Sequence, residues 1–265
     1  MNRIICITGA SSGIGFELAR FFHQSNDIVL GISRSYPKEK YDFDYFLCDV
    51  ADEENVKYTF QKIREKHDHI DVLINCAGMG ISGAIEHASL DEVKRIFAVN
   101  VFGAFLVSKH AMDLLRKSHN PKIINIGSVA GEFTLPFQAF YSMTKSSIHT
   151  FSEALRMELR PFSIDVSTVM PGDTKTGFTQ NRLKPKIEEN ALYNDRIKRS
   201  VARVEKDEQN GKSPFTVVKV VDKLLKKKRM PVSVSVGFEY KLFIFLKRIL
   251  PNRVVNWLLF QMYGK

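Results

Sequence analysis

Ile4-Ile5-Cys6-Ile7-Thr8-Gly9-Ala10-Ser11-Ser12-Gly13-Ile14-Gly15 is the stretch on which the fold turns. Its apolar, mostly β-branched start reads as a buried strand, and Ile14 to Phe22 reads as an amphipathic helix. Gly9, Gly13 and Gly15 lie between the two. Glycines there permit a tight turn and close approach of main chain to a pyrophosphate, and the following helix N-terminus offers free N–H groups. A glycine turn that merely joins strand to helix is the plainer reading. The strand–turn–helix context favours a phosphate cradle built from Gly9, Ser11, Ser12, Gly13, Ile14 and Gly15.

Outward from this stretch the pattern repeats. Ile28–Ile32, Tyr45–Cys48, Val72–Ile74, Lys122–Ile126 and Ile164–Val169 read as strands. Glu53–Lys66, Leu90–Arg116 and Phe140–Leu159 read as helices, the second a single long one. Such βαβ alternation predicts an α/β chain with a Rossmann-type, doubly wound parallel sheet flanked by helices. Residues 1–265 are expected to form one domain. Within it, 173–213 is a charged excursion with one or two helices. Phe215–Lys228 follows as a helix, Val232–Val236 as a last strand, and 238–265 as an apolar and basic tail.

Composition narrows the function. The net charge is +10, with 44% apolar residues, enough for a sizeable core. A basic surface that aids solubility explains the charge as well as a binding role does. No zinc-finger, RNP or basic-region pattern is present, so nucleic acid is not an expected partner. Cys6, Cys48 and Cys76 are too few and scattered for a disulfide framework and suit a reducing compartment. The seven histidines form no defensible ligand set, so no metal is expected. The first strand begins at Arg3, no secretory leader is apparent, and no apolar run suffices to span a bilayer. The expectation is a cytoplasmic protein, with membrane association through the tail left open.

Two further places carry chemistry. The second strand ends in Ser33 and Arg34, where an NAD site usually presents a carboxylate to the ribose hydroxyls. Arg34 can fork onto a 2′-phosphate instead, so NADP(H) is expected over NAD(H). Tyr141 and Lys145, four residues apart on a helix, share a face. A phenol titrates near 10, and a neighbouring ammonium favours the phenolate. The pair can therefore move a proton.

Taken in order, these motifs resemble those of the classical short-chain dehydrogenase/reductase family, from Arg3 to about Thr176. Thr8 to Gly15 is similar to T-G-x-x-x-G-x-G, and Asp49-Val50 to the acidic position that holds adenine. Asn75-Cys76-Ala77-Gly78 resembles the N-x-A-G segment, with Cys76 replacing the common second Asn. Asn100 with Gly103 resembles N-x-x-G, and Tyr141 with Lys145 resembles Y-x-x-x-K after Ser128. Pro171-Gly172-Asp173-Thr174-Lys175-Thr176 resembles P-G-x-x-x-T, whose backbone and threonine hydroxyl hold the nicotinamide amide.

The resemblance implies alcohol–carbonyl interconversion by hydride transfer. Tyr141 is then the acid/base, Ser128 holds the substrate oxygen, Lys145 also meets the nicotinamide ribose, and Asn100 holds a relay water. Asn75, Ala77, Gly78, Pro171, Gly172, Thr174 and Thr176 become cofactor contacts. A homodimer or homotetramer is implied as well.

The tail from Phe238 to Phe260 could roof an apolar pocket, meet another subunit or lie on an anionic membrane. It favours a small-molecule substrate that is hydrophobic: a steroid, a retinoid or a fatty-acyl-derived lipid. The alternative is a catalytically silent dinucleotide-binding scaffold or sensor acting through its basic tail. A complete catalytic set argues against it. A nucleotide-sugar epimerase suffers from the short chain. Glu188-Glu189 and Glu205–Glu208 read as solvated helix surface.

Overall fold

In the computed structural model, residues 2–39, 42–184, 192–193 and 195–265 are described. Among these residues, seven strands form one parallel sheet in the order β3-β2-β1-β4-β5-β6-β7. They are β1 (Ile4–Thr8), β2 (Ile28–Ser33), β3 (Asp44–Leu47), β4 (Val72–Asn75), β5 (Lys122–Ile126), β6 (Asp165–Met170) and β7 (Ser233–Ser235). The order reverses between β1 and β4, which pair Ile5 with Val72 and Ile7 with Ile74. A crevice opens at the carboxyl ends of the strands at such a switch point.

Side chains alternate along each strand, so a sheet covered on both faces must be apolar at every position. Ile4 and Cys6 join one core with Phe60 of α2 (Glu53–Lys66) and Leu114 of α4 (Gly103–Arg116). Ile5 and Ile7 join the other with Phe22 of α1 (Gly13–Gln24) and Val221 of α7 (Phe215–Leu225). All five residues of β1 are buried. This is the doubly wound, single-domain α/β fold expected from the sequence.

Three differences have physical causes. The expected long helix is two: α3 (Leu90–Phe97) and α4, joined by a π-turn over Ala98–Phe102. There the N–H of Gly103 reaches back five residues to the Ala98 carbonyl. A Cβ on Gly103 would lie 2.8 Å from Val50 Cγ2, so the glycine lets this turn press against the loop after β3. The helix expected to run to Lys228 stops at Leu225. Buried Lys122 of β5 donates to the carbonyls of Leu225 (2.7 Å) and Lys227 (2.8 Å), a cation satisfying a helix C-terminus. The last strand is shortened to Ser233–Ser235.

The charged excursion contributes α6 (Arg196–Gln209), and the tail folds into α8 (Phe238–Ile249) and α9 (Asn252–Tyr263). Residues 185–191, which include Glu188 and Glu189, lie outside the described residues. Between α5 (Ala139–Leu159) and β6 the chain turns through Ser163 in the left-handed region, φ 57°. No helix among the described residues is long and apolar enough to cross a membrane.

Candidate active site

One cavity of about 1000 Å³ runs from the glycine loop to the tail. Its floor is the switch-point crevice. Gly9 adopts φ +71°, and a Cβ there would lie 2.9 Å from the Ala77 main chain. A Cβ on Gly15 would overlap the Gly9 carbonyl oxygen. Thr8 Oγ1 accepts from the N–H groups of Cys76 (3.0 Å) and Ala77 (3.1 Å), binding the end of β1 to the end of β4. The loop is thus built from main chain at contact distance. Gly9, Ser11, Ser12, Gly13, Ile14 and Gly15 all line the cavity. Gly13 approaches Thr176, so the loop meets the Pro171–Thr176 segment across the crevice.

Ser33 and Arg34 line the cavity past β2, and Asp49 and Val50 line it past β3. Ser33 Oγ bonds the Ser35 carbonyl (2.7 Å) and the Tyr45 hydroxyl, which fixes the corner beside Arg34. Arg34 is exposed and makes no hydrogen bond or ion pair among the described residues. Its guanidinium is free to fork onto an anion. Ala77, Gly78, Pro171, Gly172, Thr174 and Thr176 also line the cavity.

Two predicted residues do not line it. Asn75 is buried, and its Nδ2 donates to Ser108 Oγ (3.0 Å) and Asn125 Oδ1 (2.8 Å). It ties β4 to β5 and α4 instead of pointing at a ligand. Asn100 sits in the π-turn. Its Oδ1 accepts from Met79 N (2.8 Å), and its Nδ2 donates to Met79 O (2.9 Å) and Thr144 Oγ1 (3.0 Å). The side chain is occupied in fastening the Gly78–Met79 loop to α5. Asn100 also lies close to the Gly78 main chain: a Cβ on Gly78 would stand 3.4 Å from Asn100 Oδ1 and 3.8 Å from Lys145 Nζ.

Ser128, Tyr141 and Lys145 come together on the cavity wall. Ser128 follows β5, and its Oγ accepts from Ala130 N at 3.1 Å. Lys145 Nζ lies 5.8 Å from the Tyr141 ring centre and donates to the Ile126 carbonyl at 3.0 Å. Burial pushes Tyr141 up to about 12, opposed by its hydrogen bond with Ser128. Burial pushes Lys145 down to about 8. The sequence led us to expect the Lys145 ammonium to lower the phenol. Here burial dominates, and the ammonium is directed at a carbonyl.

The far end of the cavity draws on residues the sequence reading passed over. Phe178 packs beside Tyr141, ring centres 5.6 Å apart. Leu183 pairs with the strand-like loop after β4, its N–H donating to the Gly80 carbonyl at 2.9 Å. Arg182, its side chain 1% exposed, forms an ion pair with Glu208 of α6. Glu208 also accepts from Thr179 Oγ1 at 2.7 Å. Glu208 lines the cavity, so it is not the solvated residue expected from the charge pattern. Charge alternation along one helix gave no sign of a partner 26 residues away. Tyr240 of α8 donates to Asp173 Oδ2 at 2.8 Å, and Phe243, Leu246 and Leu259 from α8 and α9 complete the apolar wall.

The family model described as short chain dehydrogenase matches residues 3–186. The chain belongs to the short-chain dehydrogenase/reductase family and is an oxidoreductase of that class. Such proteins bind a nicotinamide dinucleotide. Over 264 residues the chain is 37% identical to a 3-ketodihydrosphingosine reductase of Bacteroides thetaiotaomicron, covering 99% of this chain and 98% of that one. It is 27% identical to the bovine (Bos taurus) dehydrogenase/reductase SDR family member 7B, covering 95% and 78%. Among solved structures it is similar to a short-chain dehydrogenase from Streptomyces avermitilis, with TM-score 0.82, 25% identity and 94% coverage of both chains.

Proposed function

We propose that this chain is an NADP(H)-preferring reductase of hydrophobic ketones, interconverting them with their alcohols, with a long-chain, lipid-derived carbonyl as substrate. The observation that carries this reading is the junction at Tyr141. On one side is a main-chain cradle for a dinucleotide, and on the other an apolar chamber walled by Phe178, Phe243, Leu246 and Leu259. The extended similarity to a 3-ketodihydrosphingosine reductase, covering the tail as well as the cradle, supports a lipid ketone over a sugar.

The residues present fit the dinucleotide: the glycine loop leaves no room for a Cβ at Gly9 or Gly15, and Arg34 lines the cavity with no partner among the described residues. Ser11 to Gly15 would hold the pyrophosphate, Asp49 and Val50 the adenine, and Pro171, Gly172, Thr174 and Thr176 the nicotinamide amide. When bound, that group supplies or accepts the hydride.

The chain supplies placement and the proton. Ser128 Oγ holds the substrate oxygen beside the Tyr141 hydroxyl. In reduction Tyr141 gives its proton to that oxygen, and in oxidation it takes the proton back. Burial favours the neutral phenol, which keeps the donor loaded at neutral pH. Lys145, with its lowered pKa near 8, can reload Tyr141 and hold the ribose hydroxyls. Asn100 positions that lysine's surroundings, with a relay water as the further role. A homo-oligomer and a tail that contacts membrane complete the proposal.

The test is NADPH oxidation over a series of methyl ketones of increasing chain length. Each buried methylene is worth about 0.8 kcal/mol, close to fourfold, so kcat/KM is expected to climb with length. Turnover confined to small polar carbonyls overturns the substrate class.

A further inference from the structure

The tail helices have two working faces. On α8, Tyr240, Phe243 and Leu246 line the cavity, as does Leu250 just past the helix, and Lys247 is anchored on the Glu132 carbonyl. The opposite face carries Phe238, Leu242, Phe245 and Ile249, spaced four, three and four residues apart, which puts them in one stripe. They are 79%, 43%, 59% and 62% exposed. Lys241 and Arg248 run along one edge of the stripe, and neither makes an ion pair among the described residues. On α9, Val254 and Trp257 are also exposed, Trp257 by 59%.

Charge selects among occupants for this face. Segment 238–265 holds five cations (Lys241, Lys247, Arg248, Arg253 and Lys265) and one acid, Glu239, a net charge of +4. That acid is already paired with Lys212 at 2.5 Å. A two-fold contact through the stripe would set Lys241 and Arg248 near their own copies with no acid to offset them. An anionic lipid surface offers apolar depth to the stripe and negative charge to its edge.

The cavity opens on the same hairpin. Phe243, Leu258 and Met262 line it, yet they remain 50%, 42% and 53% exposed, so they form a rim between α8 and α9. We infer that the α8–α9 hairpin docks on an anionic bilayer and that a lipid ketone passes from the bilayer through this rim to Tyr141, without crossing water. The inference rests on the hydrophobic-substrate reading for its cargo, while the docking stands on the stripe and its charge. A route that avoids water spares the long chain its hydration penalty.

The test uses the full chain and vesicles of phosphatidylcholine with or without phosphatidylglycerol. Wild type is expected to sediment with the mixed vesicles, weakly with neutral ones, and to be released by salt. Lys241→Gln with Arg248→Gln should weaken anionic-vesicle binding by roughly twenty-five-fold, each cation near such a surface being worth about fivefold. Phe245→Glu should lose vesicle binding and slow reduction of a vesicle-embedded long-chain ketone. Its turnover of a short, water-soluble ketone should match wild type, because Phe245 does not line the cavity. Equal sedimentation with neutral and anionic vesicles, or none with either, overturns the inference. So does a Phe245→Glu chain that changes oligomeric state but keeps its vesicle binding, since the stripe then belongs to a second copy. Failure of all long-chain turnover would instead strike the substrate reading and leave the sedimentation result standing.

Discussion

The two ends of the cavity are made of different material. The cradle end is main chain: Gly9 and Gly15 leave no space for a Cβ, and Thr8 stitches the ends of β1 and β4 together. The chamber end is side chain, assembled from Phe178, Glu208, Tyr240 and Phe243 on segments far apart in sequence. A dinucleotide has one shape, and main-chain geometry can be fixed for it. A substrate wall made of side chains can be changed residue by residue without disturbing the sheet.

The largest expected effect lies at the chamber end. Removing the charge of Glu208 takes from buried Arg182 its one ion-pair partner among the described residues. Glu208→Gln is expected to lower unfolding free energy by about 3–5 kcal/mol, read by chemical denaturation. The cradle is untouched by the change, so cofactor affinity of the folded fraction should persist. A loss of cofactor binding with unchanged stability would show the two ends to be coupled in a way this division does not allow.

A smaller effect is expected at the cradle. Arg34→Ala removes a free guanidinium and should weaken NADPH by about 1.5–3 kcal/mol, the range for hydrogen bonds to charged groups, while barely altering NADH. The check is kcat/KM for both cofactors in the mutant and wild type. An unchanged preference removes Arg34 from the role and moves cofactor choice elsewhere.

The same division explains what was legible in the sequence. Strand and helix alternation follows from local period, so β1 to β6 and α2 stand close to their expected bounds. The cradle was legible because its physics is local: glycines between a strand and a helix. Asn75 and Asn100 were found as motif positions, but their side chains prove to be ties within the frame. Motif spacing marks a position without saying which way its side chain turns. The π-turn at Ala98–Phe102 was hidden because apolar period continues through it. Arg182–Glu208 and Tyr240–Asp173 were hidden because each joins segments whose distance in sequence carries no signal. The apolar tail was visible in composition, whereas its division into a cavity face and an exposed stripe required the helix to be placed.

In the proposed reaction both ends serve one hydroxyl. Burial holds the Tyr141 phenol neutral up to about 12, beside Ser128 and within reach of the Lys145 side chain. The direct measurement is kcat for ketone reduction by Tyr141→Phe, made alongside the NADPH dissociation constant. We expect kcat to fall by about 10²–10⁴, the span of general acid–base catalysis, with NADPH bound almost as in wild type. A phenylalanine variant that turns over at the wild-type rate would contradict the assignment of the proton to Tyr141, and with it the account of how the cavity works.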